Sequence, residues 1–335
     1  MMAGCDRIWQ AARMAILLDP LLGAEGAESM LRVRDAFGPY GMYSNEGHDT
    51  GYAPELPQRI DAIRNHLRHG NGEPVGKVAA RTNYFRETYA YGDEITAPGI
   101  EPFLHHEGLA AAARSIHGRE LVVPAIVFAN LYLPGQELAI HTDVPEFRGA
   151  NRTVTPQWLV VAMHHSGLFD RWRMPIATGV SFFGPGESGA LVTYPEGPDG
   201  PRVEVAPRHD TALVLDTDTV FHGVDRVAGD DTAIRSARPG MRLHPGARWQ
   251  LRDGDAVVAE IDPASIRFSV SWKGYCFVDD ADRRRWAEHG DDLTLDRILD
   301  TIEADLRSRE VLRTDRPAPA EFGLAIVDTY TRFPG

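Results

Sequence analysis

The spacing of apolar and polar positions divides the chain into three stretches. Up to about residue 120 the helical period dominates. Residues 1–36 are rich in Ala, Leu, Arg and Met with Pro20 interrupting, and they read as helix. Residues 58–69 place Ile60, Ile63 and Leu67 three or four apart and stop at Gly70; residues 109–117 stop at Gly118. Between these, 37–57 is a Gly-, Pro- and Tyr-rich loop, read either as cover for a pocket mouth or as an ordered surface loop, and 77–91 reads as a strand or lid. From residue 121 the period shifts to two. Runs at 122–132, 136–141, 158–164, 176–183, 190–194, 202–206 and 211–221 are separated by Gly, Pro and Asp turns, which predicts a sandwich or jelly roll. The run 265–272 alternates strictly: Ile266, Phe268, Val270 and Trp272 face one way, Arg267, Ser269 and Ser271 the other. After residue 279 the helical period returns, with Trp286, Leu293, Leu295, Ile298, Leu299, Ile302 and Leu306 bracing the outside, and the Pro-rich tail ends in an apolar stretch that docks. The expected layout is therefore a helical and loop region at 1–120, a β core at 121–278 and a helical brace with tail at 279–335.

The chemistry concentrates around residues 130–143. They read as two short strands joined at Pro134–Gly135, the second ending in His141-x-Asp143. Residues two apart on a strand point to one side, so an imidazole and a carboxylate can meet one ion. A third donor, His222, ends a β-branched run 79 residues after Asp143. Two imidazoles and one carboxylate form a facial set that holds Fe(II) and leaves the remaining positions open. On the polar face of the late strand, the Arg267 fork and the Ser269 hydroxyl suit a carboxylate. A second match, His289-Gly-Asp291, lies in a charged helical stretch and reads as chance.

The set His141-x-Asp143, His222 and Arg267-x-Ser269 resembles the Fe(II)- and 2-oxoglutarate-dependent dioxygenase superfamily, across residues 130–272. Asn130-x-Tyr132 resembles the DNA-alkylation-repair branch, in which such residues touch 2-oxoglutarate. The resemblance implies an α+β, mainly β fold: a double-stranded β-helix (jelly roll, cupin-like) with flanking helices and the iron in one mouth. It implies Fe(II) at His141, Asp143 and His222, and 2-oxoglutarate held by Arg267 and Ser269 with Asn130 and Tyr132. It implies oxidation of a substrate by O2 with decarboxylation of 2-oxoglutarate to succinate. Because halogenases of this kind replace the carboxylate ligand, Asp143 points to hydroxylation, desaturation or ring chemistry. One departure is the 45 residues between His222 and Arg267, more than the family pattern has. An insertion at 228–263, itself a hairpin around Asp253–Gly254, accounts for it; Arg226, Arg235 and Arg238 are the alternative anchors. Two other readings share the barrel: a non-catalytic small-molecule or metal-binding jelly roll, and an iron or cupin oxidase that uses no 2-oxoglutarate.

Composition narrows the partners. The chain has 335 residues, 43% of them hydrophobic, so it can bury a full core. Its net charge of −13 argues against duplex nucleic acid or a membrane surface and for a small molecule, such as an amino acid derivative or natural-product intermediate. The apolar run 14–18 is too short to span a membrane and reads as part of the first helix. Only Cys5 and Cys276 occur, unpaired in spacing, which argues against a thiolate zinc site and suits a reducing cytoplasm that keeps iron ferrous. Arg148, Trp158, His164 and Arg171 are candidate substrate contacts after the metal motif, while Asp216 and Asp218 read as structural.

Overall fold

The computed structural model describes residues 15–42, 51–61, 63 and 84–334. Eight strands form the centre: β1 Leu121–Tyr132, β2 Leu138–His141, β3 Ile176–Phe183, β4 Leu191–Tyr194, β5 Val203–Val205, β6 Thr211–Leu215, β7 Phe221–Val224 and β8 Arg267–Phe277. In the larger sheet the order is β6-β3-β8-β1; in a separate four-stranded sheet it is β5-β4-β7-β2. Neighbouring strands pair antiparallel. The chain therefore alternates between the sheets as it advances, which is the topology of a double-stranded β-helix.

The larger sheet is extended at both edges. Beyond β1 lie Phe85–Tyr91, Tyr40–Met42, Arg242–His244, Trp249–Asp253 and Ala256–Ile261, in that order. The hairpin expected around Asp253–Gly254 is present, with Trp249 opposite Ile261. Residues 242–244 connect it to the N-terminal strand, so the stretch after β7 widens the sheet.

Two expectations are corrected. Ala15–Leu18 is a strand, not helix; it pairs antiparallel with β6, Ala15 opposite Leu215. Four apolar residues carry no period, and the bare edge of β6 decides their state. The helix begins later, as α1 Gly23–Ala36. The run expected as a strand at 158–164 lies in a helix. The longer helices after α1 among the described residues are α2 Glu107–His117, α3 Gln157–Ser166, α4 Asp280–Ala287, α5 Leu295–Ser308 and α6 Pro319–Tyr330. All of Trp158 through Met163 on α3 are buried, so the sequence lacks the polar stripe that marks a surface helix. Gly167, at φ 68°, ends it. Most of the expected helix at 58–69, and residues 1–14, lie outside the described residues.

Two cores result. The outer face of the larger sheet, with Phe268, Val270 and Trp272, packs on α1 and α2 through Met30, Leu109 and Ala113. The Trp272 indole donates to the Leu104 carbonyl at 2.8 Å. On the other side, α3, α5 and α6 share a second core that includes Trp158, Ile298, Ile302, Phe322 and Ile326. Each such side chain contributes about 1.5–3 kcal/mol. No helix among the described residues is long and apolar enough to cross a membrane. The polar face of β8, carrying Arg267, Ser269 and Ser271, is left to the barrel interior.

Candidate metal centre

His141 ends β2 and lies directly opposite His222 on β7. Cross-strand neighbours have Cβ atoms about 5 Å apart, close enough for two imidazoles to share an ion; the ring centroids are 4.5 Å apart. The strands approach closely because residue 223 is glycine: a Cβ there would sit 2.6 Å from the Leu138 carbonyl oxygen. Each ring is oriented by a carbonyl two residues back. His141 Nδ1 lies 2.8 Å from the Ala139 oxygen, and His222 Nδ1 lies 2.9 Å from the Val220 oxygen. A carbonyl can only accept, so Nδ1 carries the hydrogen and Nε2 keeps its lone pair for a metal.

Asp143 follows β2, and its amide donates to the Thr217 carbonyl at 2.8 Å. Its Oδ1 stands 3.7 Å from His141 Nε2 and 3.8 Å from His222 Nε2. The three donor atoms lie within 4.8 Å of one another, so one ion can touch all three. The second oxygen, Oδ2, accepts from Lys273 Nζ at 2.7 Å. Burial would raise the Asp143 pKa, but the Lys273 ammonium and the two histidines outweigh it and hold the carboxyl well below the usual range. Burial, then His141, pushes His222 down to about 4, which favours the neutral, ligating imidazole. The donor set suits an Fe(II)-type ion.

The cosubstrate candidates form two adjacent rungs: Arg267 opposite Tyr132, and Ser269 opposite Asn130. Arg267 is 2% exposed. Its Nε donates to the Gly189 carbonyl at 2.6 Å and its Nη1 to Ser269 Oγ at 3.1 Å. Its Nη2 is buried without a partner, and so is Asn130 Oδ1. Burial pushes the guanidinium down to about 10, still charged at neutral pH. A buried cation with an unused donor calls for an anion. Asn130 Nδ2 donates to Ser271 Oγ at 3.0 Å, and Tyr132 stacks on Tyr84 with ring centroids 4.9 Å apart. The alternative anchors are all engaged at the surface, Arg226 and Arg235 with Asp231 and Arg238 with Asp253.

The four substrate-contact candidates have other occupations. Arg148 grips Asp291 at 2.7 and 3.0 Å and donates to the Arg171 carbonyl. Arg171 lies over the Trp172 ring at 3.7 Å. Trp158 belongs to the helical core, and His164 Nε2 lies 2.9 Å from Thr219 Oγ1. The second His-x-Asp match does not converge: exposed His289 pairs with Asp292, and Asp291 with Arg148.

Sequence reasoning missed Lys273, although the alternation that exposed Arg267, Ser269 and Ser271 continues to it. Tyr275 is the next residue on that face, and its hydroxyl donates to Glu146. Behind the metal motif, Arg173 grips Asp216 at 2.8 Å and lies 3.6 Å from Asp218. Asp218 is fully buried and neither of its carboxylate oxygens has a hydrogen-bond partner. Burial, then the neighbouring Asp216, raises its pKa.

No family model matches the chain, and no curated protein matches it. Among solved structures, it is similar to SnoK, a non-heme alpha ketoglutarate dependent carbocyclase from nogalamycin biosynthesis: 9% identity, 83% of this chain and 88% of that one, TM-score 0.42. The epimerase SnoN of the same biosynthesis gives 12% identity, 78% of each chain and TM-score 0.39. HygX from Streptomyces hygroscopicus, with nickel, 2-oxoglutarate and hygromycin B bound, gives 11%, 79% and 84%, and 0.38. At these values the likeness is one of general shape, and the chemistry rests on this chain's own side chains.

Proposed function

We propose that the protein is an Fe(II)- and 2-oxoglutarate-dependent oxygenase that oxidises a small molecule. The observation that carries this is the convergence of His141, Asp143 and His222 in the same barrel as Arg267, whose buried Nη2 has no partner. In this reading the two Nε2 atoms and Asp143 Oδ1 hold iron from one side. Arg267 and Ser269 bind the distal carboxylate of 2-oxoglutarate, and Asn130 and Tyr132 line the same cosubstrate. When bound, iron and 2-oxoglutarate supply an oxidant from O2, with 2-oxoglutarate leaving as succinate and CO2.

The protein's part is placement. The Nδ1–carbonyl bonds fix both imidazoles before metal arrives, and Lys273 keeps Asp143 anionic and aimed with one oxygen free for the ion. Asp143 fills the position a halide would need, which supports hydroxylation, desaturation or ring chemistry. The net charge of −13 supports a small-molecule substrate, and the two lone cysteines support a reducing cytoplasm. Residues 121–278 are the catalytic core in this proposal, with 1–120 and 279–335 packed on it.

The test is succinate formation in air with Fe(II) and 2-oxoglutarate. Slow succinate release is expected from the wild-type chain, and its loss is expected in Asp143→Ala. Oxygen uptake that persists without 2-oxoglutarate, and is indifferent to Arg267→Ala, would instead identify an iron oxidase. No oxygen uptake at all would leave a non-catalytic binding barrel.

A further inference from the structure

Beside the metal motif the chain makes two consecutive cross-links to β8. Asp143 meets Lys273, and three residues on, Glu146 meets Tyr275. Lys273 and Tyr275 are two apart on one strand face, so the second link lies roughly 7 Å along the barrel from the first. Glu146 opens the short strand Glu146–Phe147, whose other side chain, Phe147, is buried in the helical core. The Glu146 carboxylate is thereby turned toward β8 and the interior.

What surrounds it is incomplete. Tyr275 Oη donates to the two Glu146 oxygens at 3.2 and 3.3 Å, a shared and long bond. Among the described residues Glu146 makes no ion pair, although it is partly buried. Two cations act on it without pairing with it: Lys273 is bonded to Asp143, and Arg152 is exposed. Burial raises the Glu146 pKa and outweighs the Tyr275 hydroxyl, Lys273 and Arg152, which act to lower it. Tyr275 packs on an apolar cluster of Met174, Ile176, Phe277 and the Trp286 ring, whose centroid is 5.3 Å from that of Tyr275. A partly buried carboxylate beside an apolar cluster is complementary to a primary ammonium on a hydrocarbon or sugar frame. The whole chain, with 48 acidic and 35 basic residues, attracts cations from a distance.

We infer that Glu146 is a specificity-determining residue that binds a protonated amine of the substrate, with Tyr275 holding the carboxylate in place until the amine arrives. This rests on the oxygenase reading for its meaning, but amine binding at Glu146 is testable by itself. Calorimetry on the full chain would compare two matched sets of probes: glucosamine, N-acetylglucosamine and glucose; and hexylamine, N-acetylhexylamine and hexanol. The visible band of the anaerobic Fe(II)–2-oxoglutarate complex would be recorded on the same samples. The amine should bind about tenfold or more tightly than its acetylated or hydroxyl counterpart. Glu146→Gln, which keeps the shape and removes the charge, should abolish that preference. Tyr275→Phe leaves the carboxylate and should retain the preference or increase it. Equal binding within each set, no amine binding at all, or loss of the preference in Tyr275→Phe as well would overturn the assignment. An amine preference without the visible band would uphold the amine site and reject the oxygenase reading; a band without a preference would do the reverse.

Discussion

At the scale of single residues the site depends on which donors are already satisfied. Arg267 has two of its three nitrogens engaged and the third idle, so its fork is set before a ligand comes. Arg267→Lys keeps the charge but loses that geometry, and the KM for 2-oxoglutarate should rise on the order of a hundredfold. Steady-state succinate assays against 2-oxoglutarate concentration measure it. Lys273 acts one bond further out. Lys273→Met removes the one side chain that, among the described residues, donates to Asp143 Oδ2, and Fe(II) affinity should fall about 10–100-fold, with the 2-oxoglutarate dependence much less changed. A metal titration followed by 2-oxoglutarate titration separates the two. The legibility of these residues follows their chemistry. His141, Asp143, His222 and Arg267 could be picked out because a metal and an anion restrict both residue type and spacing. Lys273 could not, because a lysine near the end of a strand ordinarily reads as solvated. Arg148, Trp158, His164 and Arg171 follow the metal motif in sequence, yet a packed helix and a partner carboxylate, neither visible in a linear pattern, take up their side chains.

At the scale of elements the site depends on close backbone approach. Gly189, at φ +77°, offers its carbonyl to Arg267, and a Cβ there would fall 2.7 Å from Arg267 Cδ and 2.8 Å from Val227 Cγ2. Gly189→Ala should therefore impair 2-oxoglutarate binding while leaving Fe(II) binding close to wild type. Gly223→Ala should do the opposite and loosen iron, because it separates β7 from β2 where the two histidines face each other. Equilibrium titrations of both ligands on both variants check this crossed pattern. Strand and helix identity was readable where a period existed, as on β8 with its alternating faces or α2 with its stop at Gly118. It was not readable at Ala15–Leu18 or along α3. A run buried on every side shows no period, and the partner that decides its conformation, β6 for one and α6 for the other, lies far along the chain.

At the scale of the whole molecule, the alternation between the two sheets follows from long-range pairing that no local pattern contains; the resemblance supplied it. The same packing encloses Asp218, a carboxyl without a hydrogen-bond partner, whose pKa burial and Asp216 push up. The native state therefore holds this proton more tightly than the unfolded chain. That contribution to stability is complete below the ordinary carboxylate range and is lost as pH rises through the raised native-state value. Asp218→Asn keeps the volume and cannot ionise, so it should gain on the wild type as pH rises from 4 to 8, by on the order of 1–3 kcal/mol. Denaturant midpoints of both chains across that range provide the check. The measurement that bears most directly on the barrel's purpose is optical. Fe(II) and then 2-oxoglutarate, added without oxygen to the wild-type chain, should produce a visible charge-transfer band that saturates at one iron per chain and is missing in His222→Ala. A wild-type chain that stays colourless at saturating iron and keto acid, or a His222→Ala chain that colours equally well, would contradict the assignment of this site.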